Sequence, residues 1–233
     1  MSAEFRRGIR HGIPIALGYL SVSFAFGMQA SKAGLTVLQA VLISLTNLTS
    51  AGQVAALPLM ASGASLAEMA LTQLTINLRY ALMSLSLSRR LDRSMGTPQR
   101  LFFSFAITDE IFAVSYTQPE KVGKRYLYGL ILTPWIGWGL GTLLGSAAGT
   151  LLPAFVRTAL GIALYGMFLA IILPPARKQP PVRFVLAVAV ALSLCFRYIP
   201  GLNTVSSGFV IIICGVVAAA AGALKYPVEE DNL

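Results

Sequence analysis

Histidine is nearly absent from this chain: His11 is the only one in 233 residues. A histidine-based zinc site is thereby excluded, because such sites draw on two or more imidazoles. His11 sits beside Arg6, Arg7 and Arg10 at the edge of the first apolar run and is expected at the surface. Cysteine is almost as scarce. Cys195 and Cys214 each lie inside an apolar run, so no disulfide framework is indicated and burial is expected. No nucleophile with an attendant base, no phosphate loop and no cofactor fingerprint occurs, so neither an enzyme nor a bound cofactor or metal is expected. Charge is short as well: 12% of the residues are charged, about half of what a soluble domain carries. Nine acidic residues against eighteen Lys and Arg leave a net charge of +9. The basic residues fall in short clusters between apolar runs, not along one face, which argues against a nucleic-acid partner and for topology signals.

What is abundant is apolar surface, at 56% of residues. Runs long enough to cross a bilayer recur at about 12–31, 66–88, 125–149, 153–174, 182–199 and 203–224. The fold class read from this is an all-α polytopic membrane protein in contact with membrane lipid, one transporter domain over 1–233. The first run is too long for a cleaved leader and reads as a retained span. Two further segments, 33–62 and 98–118, are divided by polar residues, and their treatment decides the topology. If both enter and leave by the same side, six full spans remain. Fourteen Lys and Arg then fall inside, Lys32, Arg157 and Arg197 fall outside, and Arg79 stays within a span. That sorting favours two discontinuous or re-entrant segments. Both termini would be cytoplasmic, 1–11 and 225–233, in a cytoplasmic (inner) membrane. A single interrupted crossing over 98–118 is the alternative. With one polar tip at 46–53 opposed by another near 108–110, the arrangement hints at inverted pseudo-symmetry.

The first polar island reads SLTNLTSAGQ. Broken backbone in hydrocarbon survives only against protein or a water-filled cavity. Ser44, Thr46, Asn47, Thr49, Ser50, Gly52 and Gln53 therefore suit a gap between two half-helices, one ending near Leu45 and the other starting near Ser50. Their end charges and hydroxyls fit a zwitterion or an ion. The bland alternative is close helix packing glued by hydroxyls. In QLTINLRYALMSLSLS, Arg79 lies deep in a span with Asn77 two residues before it and Gln73 four residues before Asn77. Its guanidinium matches a carboxylate, could equally bind helix-end carbonyls, or could snorkel. In ITDEIF, Asp109 and Glu110 either carry a proton or contact a substrate amine, or they cap a half-helix beginning near Thr108. Glu68 falls near the start of its run and is expected at the interface.

Gly137, Gly141, Gly145 and Gly149 form a four-residue stripe, with Gly129 further back. Such a stripe predicts close helix contact, within the chain or with a partner. Trp135 and Trp138 fit an interface anchor, packing or a pore lining. Pro58, Pro134, Pro153, Pro174 and Pro200 mark kinks or span ends.

At SLTNLTSAGQ, INLRYALMSLSLS and ITDEIFAVS, together with RRGIRHGIPIALGYLSVSFAFG at the start, the chain resembles the AzlC family, large subunits of branched-chain amino acid exporters. The resemblance covers essentially the whole chain. It implies export of valine, leucine, isoleucine and often methionine, driven by the membrane potential or a proton gradient. It also implies a small hydrophobic partner subunit of the AzlD family. The site residues named above rest on physical inference and not on the resemblance. The competing function is an ion-coupled carrier or channel for another small polar solute, with a non-transporting scaffold behind it.

Overall fold

A computed structural model describes residues 2–92, 94–148 and 153–227. Arg93, Gly149 and the acidic tail Glu229, Glu230, Asp231 and Asn232 lie outside the described residues. Ten α-helices occur among them: α1 Ala3–Lys32, α2 Val37–Thr46, α3 Ser50–Ala61, α4 Leu66–Ser88, α5 Thr97–Phe105, α6 Asp109–Tyr116, α7 Lys124–Ala148, α8 Ala154–Lys178, α9 Pro180–Tyr198 and α10 Ser207–Lys225. By length and composition α1, α7, α9 and α10 can each cross a bilayer. The protein is an all-α polytopic membrane protein. Helices α4 and α8 are as long, at 23 and 25 residues, but α4 carries Glu68, Gln73, Asn77 and Arg79 along its length. Pro58, Pro134 and Pro174 lie inside helices, Pro153 immediately precedes α8, and Pro200 follows α9.

Both divided segments break where their polar residues compete with helical backbone bonding. Helix α2 opens with a capping box between Thr36 and Gln39 and closes at Asn47, whose φ of −148° and ψ of 97° are extended. Helix α3 restarts at Ser50. In the second segment, Thr108 is extended and its hydroxyl accepts the Ile111 N–H at 3.4 Å, starting α6. Asp109 and Glu110 then occupy the first turn, where negative charge complements the helix dipole.

The chain divides into two compact units, Met1–Leu57 with Asn77–Leu164, and Pro58–Ile76 with Tyr165–Leu233. In the first unit α1 and α7 pack along their lengths. A Cβ on Gly137 would fall 2.7 Å from the Ala16 carbonyl oxygen; on Gly141 it would overlap Ser23 and Leu20, and on Gly145 it would overlap Phe24. The partner helix replies with glycines of its own: a Cβ on Gly8 would lie 2.8 Å from the Leu130 nitrogen, and one on Gly27 would lie 2.7 Å from the Ser146 nitrogen. Residue numbers rise together along both helices, so α1 and α7 run parallel. Missing side chains let the two backbones touch, and van der Waals contact replaces the hydrophobic drive that lipid does not supply.

Helices α2 and α3 fold back on each other. The Gln53 amide donates to Ser44 Oγ at 3.0 Å although the two are nine residues apart. In a straight helix that separation would be about 13.5 Å. Ala40 and Leu57 share one buried cluster, with Ile43 and Val54 packed against it. The two ends of the α5–α6 segment also meet. Leu91 and Val122 form a backbone bridge, with Asp92 N–H donating to Val122 O at 3.0 Å and Val122 N–H to Arg90 O at 2.9 Å. The Arg90 guanidinium donates to the carbonyls of Tyr116 and Gln118, tying the same two ends. Outside the helices, the Ser94 N–H donates to Asp92 Oδ1 at 2.7 Å and holds that carboxyl below its usual range.

In the second unit α9 and α10 are antiparallel: a Cβ on Gly222 would overlap Val185, and the Lys225 ammonium stands 4.1 Å over the Phe184 ring. The opening of α4 runs parallel to α10. Glu68 accepts from the Ser206 hydroxyl and from the Gly208 N–H at 3.2 Å, and a Cβ on Gly215 would sit 3.6 Å from Thr75. Glu68, expected at the interface from its place near the start of its run, is buried and caps the start of α10. The reason is its distant partner, the uncapped start of α10, which a carboxylate satisfies. Cys214 is buried, whereas Cys195 is exposed on α9, where no residue is buried.

Candidate functional site

The two breaks meet the middle of α1 and α7. Ser44 of α2, Gln53 of α3, Trp138 and Thr142 of α7 are all buried and bond to one another. Ser44 Oγ and Thr142 Oγ1 are 2.7 Å apart, and the Thr142 hydroxyl also donates to the Trp138 carbonyl at 3.0 Å. The Trp138 indole N–H donates to Gln53 Oε1 at 2.9 Å. One turn earlier, the Trp135 indole N–H donates to the Leu45 carbonyl at 3.0 Å, satisfying a helix-end acceptor that α2 leaves open. Three helices, α2, α3 and α7, are thus cross-braced at the first break by hydrogen-bonded side chains.

At the second break, the Tyr19 hydroxyl of α1 lies 2.5 Å from Thr108 Oγ1 and 2.5 Å from Glu110 Oε2. Beside it, Arg79 Nη1 of α4 pairs with Asp109 Oδ2 at 2.7 Å. The Arg79 guanidinium also stacks 5.0 Å over the Tyr80 ring. Asp109 and Glu110 therefore face different partners, as adjacent helical residues must. The side chains of the ion pair are 47% and 43% exposed, so the pair is open on one side. Tyr19 lies about 24 Å along α1 from its start at the helical rise, near mid-helix.

Of the other expected residues, Thr46 is exposed and its hydroxyl returns to the Leu42 carbonyl at 2.7 Å. Asn47 closes α2, Gly52 is buried, and Asn77 is half-buried on α4. The hydroxyls of Thr49 and Ser50 are enclosed and make no hydrogen bond within the described residues. Gly137, Gly141 and Gly145 lie in the α1–α7 contact. His11 is part-buried, its Nδ1 2.8 Å from the Tyr126 hydroxyl. Sequence reasoning passed over Tyr19, Thr142 and the hydrogen-bonding role of Trp138. A lone tyrosine inside the run GIPIALGYLSVSFAFG was the available signal for the first.

No group of three or more His, Cys, Asp or Glu side chains able to hold a metal occurs among the described residues. An exposed guanidinium–carboxylate pair has the charges to exchange bonds with a small molecule that carries both signs.

The AzlC protein family model matches residues 14–152, a range containing every residue of both breaks. The chain belongs to the AzlC family. It is 29% identical over 230 residues to the inner membrane protein YgaZ of Escherichia coli, covering 96% of this chain and 91% of that one. It is 32% identical over 225 residues to an uncharacterized membrane protein of Archaeoglobus fulgidus, covering 96% and 94%. It is 22% identical over 235 residues to the branched-chain amino acid transport protein AzlC of Bacillus subtilis, covering 99% and 89%. No solved structure matches.

Proposed function

We propose that this AzlC-family chain is the large subunit of a secondary exporter of leucine, isoleucine, valine and methionine, working in the cytoplasmic membrane with a small AzlD-type subunit. The observation that carries the reading is the Arg79–Asp109 pair, 2.7 Å apart and open on one side at the second helix break. Its charges are complementary to a zwitterion: the guanidinium fork receives the α-carboxylate and Asp109 the α-ammonium. The enclosed Thr49 and Ser50 hydroxyls supply further unfilled capacity at the first break. The relative from Bacillus subtilis that is named for branched-chain amino acid transport supplies the substrate class. The small subunit rests on the family resemblance alone.

Helix directions support six crossings with two re-entrant hairpins. Because α1 and α7 are parallel, the segments between them cross an odd number of times, so α2–α3 and α5–α6 both cross or both return. Because α4 and α10 are parallel, an odd number of crossings also separates these two. With α7, α8 and α9 as single crossings, α5–α6 returns to its own side, and α2–α3 then does too. The Leu91–Val122 bridge and the Ser44–Gln53 bond agree with both returns. The basic clusters then lie inside, and both termini are cytoplasmic.

The test is efflux of preloaded labelled leucine from vesicles containing both subunits. Leucine, valine and methionine should leave faster than from empty vesicles and compete with one another. Saturable movement of an ion or another small solute, without any apolar amino acid, would replace the exporter with the ion-coupled carrier.

A further inference from the structure

We propose that Tyr19 is a positioning residue that joins the two broken hairpins into one responsive unit, passing changes at Glu110 to the α2–α3 break. A single side chain reaches both. Its hydroxyl is 2.5 Å from Thr108 Oγ1 and 2.5 Å from Glu110 Oε2, the N-cap and the second residue of α6. Its ring meets the Trp138 ring edge-on, with centroids 5.2 Å apart at 75°. Trp138 in turn donates to Gln53 Oε1 at 2.9 Å, and Gln53 donates to Ser44 Oγ at 3.0 Å. The path from α6 to both arms of the other hairpin is continuous through four side chains.

The chemistry of the phenol gives that path two arrangements. Tyr19 has one proton and two oxygen partners. The Glu110 carboxylate can only accept, so the phenol donates to it and accepts from the Thr108 hydroxyl. When that carboxylate is drawn to an ammonium group, the phenol proton turns to Thr108 Oγ1. The charged and titratable groups around this junction are Asp109 on α6, and Arg79 and Tyr80 on α4. None comes from α7, whose contribution is the Trp138 ring and its hydrogen bond. Because α6 holds the phenol at its hydroxyl, a displacement of Glu110 or Thr108 shifts the whole ring, whose packing partner is the buried Trp138 indole.

Trp135 and Trp138 are the only tryptophans in the chain, so Trp135→Phe leaves Trp138 as a single fluorescent reporter. In that background Glu110→Gln should change Trp138 emission, and Tyr19→Phe should reduce that change at least roughly threefold, the non-additivity expected of groups in one network. Thr108→Val, which leaves α1 untouched, provides a second cycle should Tyr19→Phe destabilise the protein. Additive emission changes in these cycles, or no response to Glu110→Gln, would overturn the coupling. The consequence for transport rests on the exporter reading: Tyr19→Phe should slow leucine turnover about tenfold with KM nearly unchanged, as for a residue acting on the conformational step. Wild-type turnover in Tyr19→Phe would remove Tyr19 from the transport cycle. Absence of leucine efflux in the unsubstituted protein would instead sink the exporter reading, and the fluorescence cycles would still decide the coupling.

Discussion

Replacing Arg79 by Gln separates a substrate-facing pair from a structural one. The Arg79–Asp109 bond is 2.7 Å long, but nearly half of each side chain is exposed. An ion pair this open contributes about 0–1 kcal/mol to stability. Folding should therefore survive, with detergent melting temperature lowered only slightly. Transport should not survive as well. A hydrogen bond to a charged group is worth about 1.5–3 kcal/mol, and 1.4 kcal/mol is a factor of ten. Arg79→Gln should thus raise the leucine KM roughly 10- to 100-fold in efflux from proteoliposomes matched for protein amount and orientation. The double variant Arg79→Gln with Asp109→Asn decides the cause. If the pair only neutralises itself, the double variant removes both charges and restores transport. If Arg79 binds the carboxylate, the double variant stays as weak as Arg79→Gln alone. Restoration by the double variant, or a KM for Arg79→Gln within about twofold of the original, would refute the carboxylate role while leaving the exporter class intact.

Three further outcomes follow from the packing. In a chain with Cys195 and Cys214 replaced by Ala, Ser94→Cys and Glu120→Cys should both react with an impermeant thiol reagent from the cytoplasmic side; opposite-sided labelling would mean that α5–α6 crosses the membrane. Gly141→Leu should lower the melting temperature and the yield of dispersed protein, because its side chain must enter the α1 backbone at a cost of about 1–3 kcal/mol or more; unchanged stability would show that this stripe faces away from α1. Glu68→Ala strips the α10 start of its carboxylate acceptor and should destabilise the protein by about 1–2 kcal/mol, with Glu68→Gln milder, read by thermal unfolding in detergent. Equal loss for both variants would show that charge, and not hydrogen bonding, is what Glu68 contributes.

Local chemistry was legible in the sequence, and long-range meetings were not. The breaks at Asn47 and Thr108 could be read because hydroxyl and amide side chains interrupt apolar runs there, and capping rules give their ends. The glycine stripe could be read as a place for close contact. Its partner could not, since Gly8, Gly12 and Gly27 on α1 carry no mark distinguishing contact with α7 from contact with a separate subunit. Glu68 looked interfacial because its distance along α4 is all that sequence offers, while its hydrogen-bond partner lies 140 residues away. Tyr19 is hidden for the same reason, with Glu110 91 residues downstream. Either residue alone reads as one more polar group tolerated inside a span.

On the exporter reading, the distribution of satisfied and unsatisfied polar groups separates a frame from a work surface. Ser44, Gln53, Trp138 and Thr142 fill one another's hydrogen-bonding capacity in a buried cluster. Full satisfaction in low dielectric makes such a cluster rigid, so it holds the α2–α3 hairpin against α7 and is a poor place for a substrate to exchange bonds. The hydroxyls of Thr49 and Ser50, just past the end of α2, are enclosed without hydrogen-bond partners among the described residues, and leaving a buried hydroxyl unpaired costs about 1–3 kcal/mol. Arg79 and Asp109 are paired but open. On the exporter reading, a substrate gains bonds at Thr49 and Ser50 and trades bonds at Arg79 and Asp109, whereas at the frame it would have to break bonds without compensation. On the proposed exporter reading the substrate acts on the loose groups, and Tyr19 ties the start of α6, next to Asp109, to the frame through Trp138.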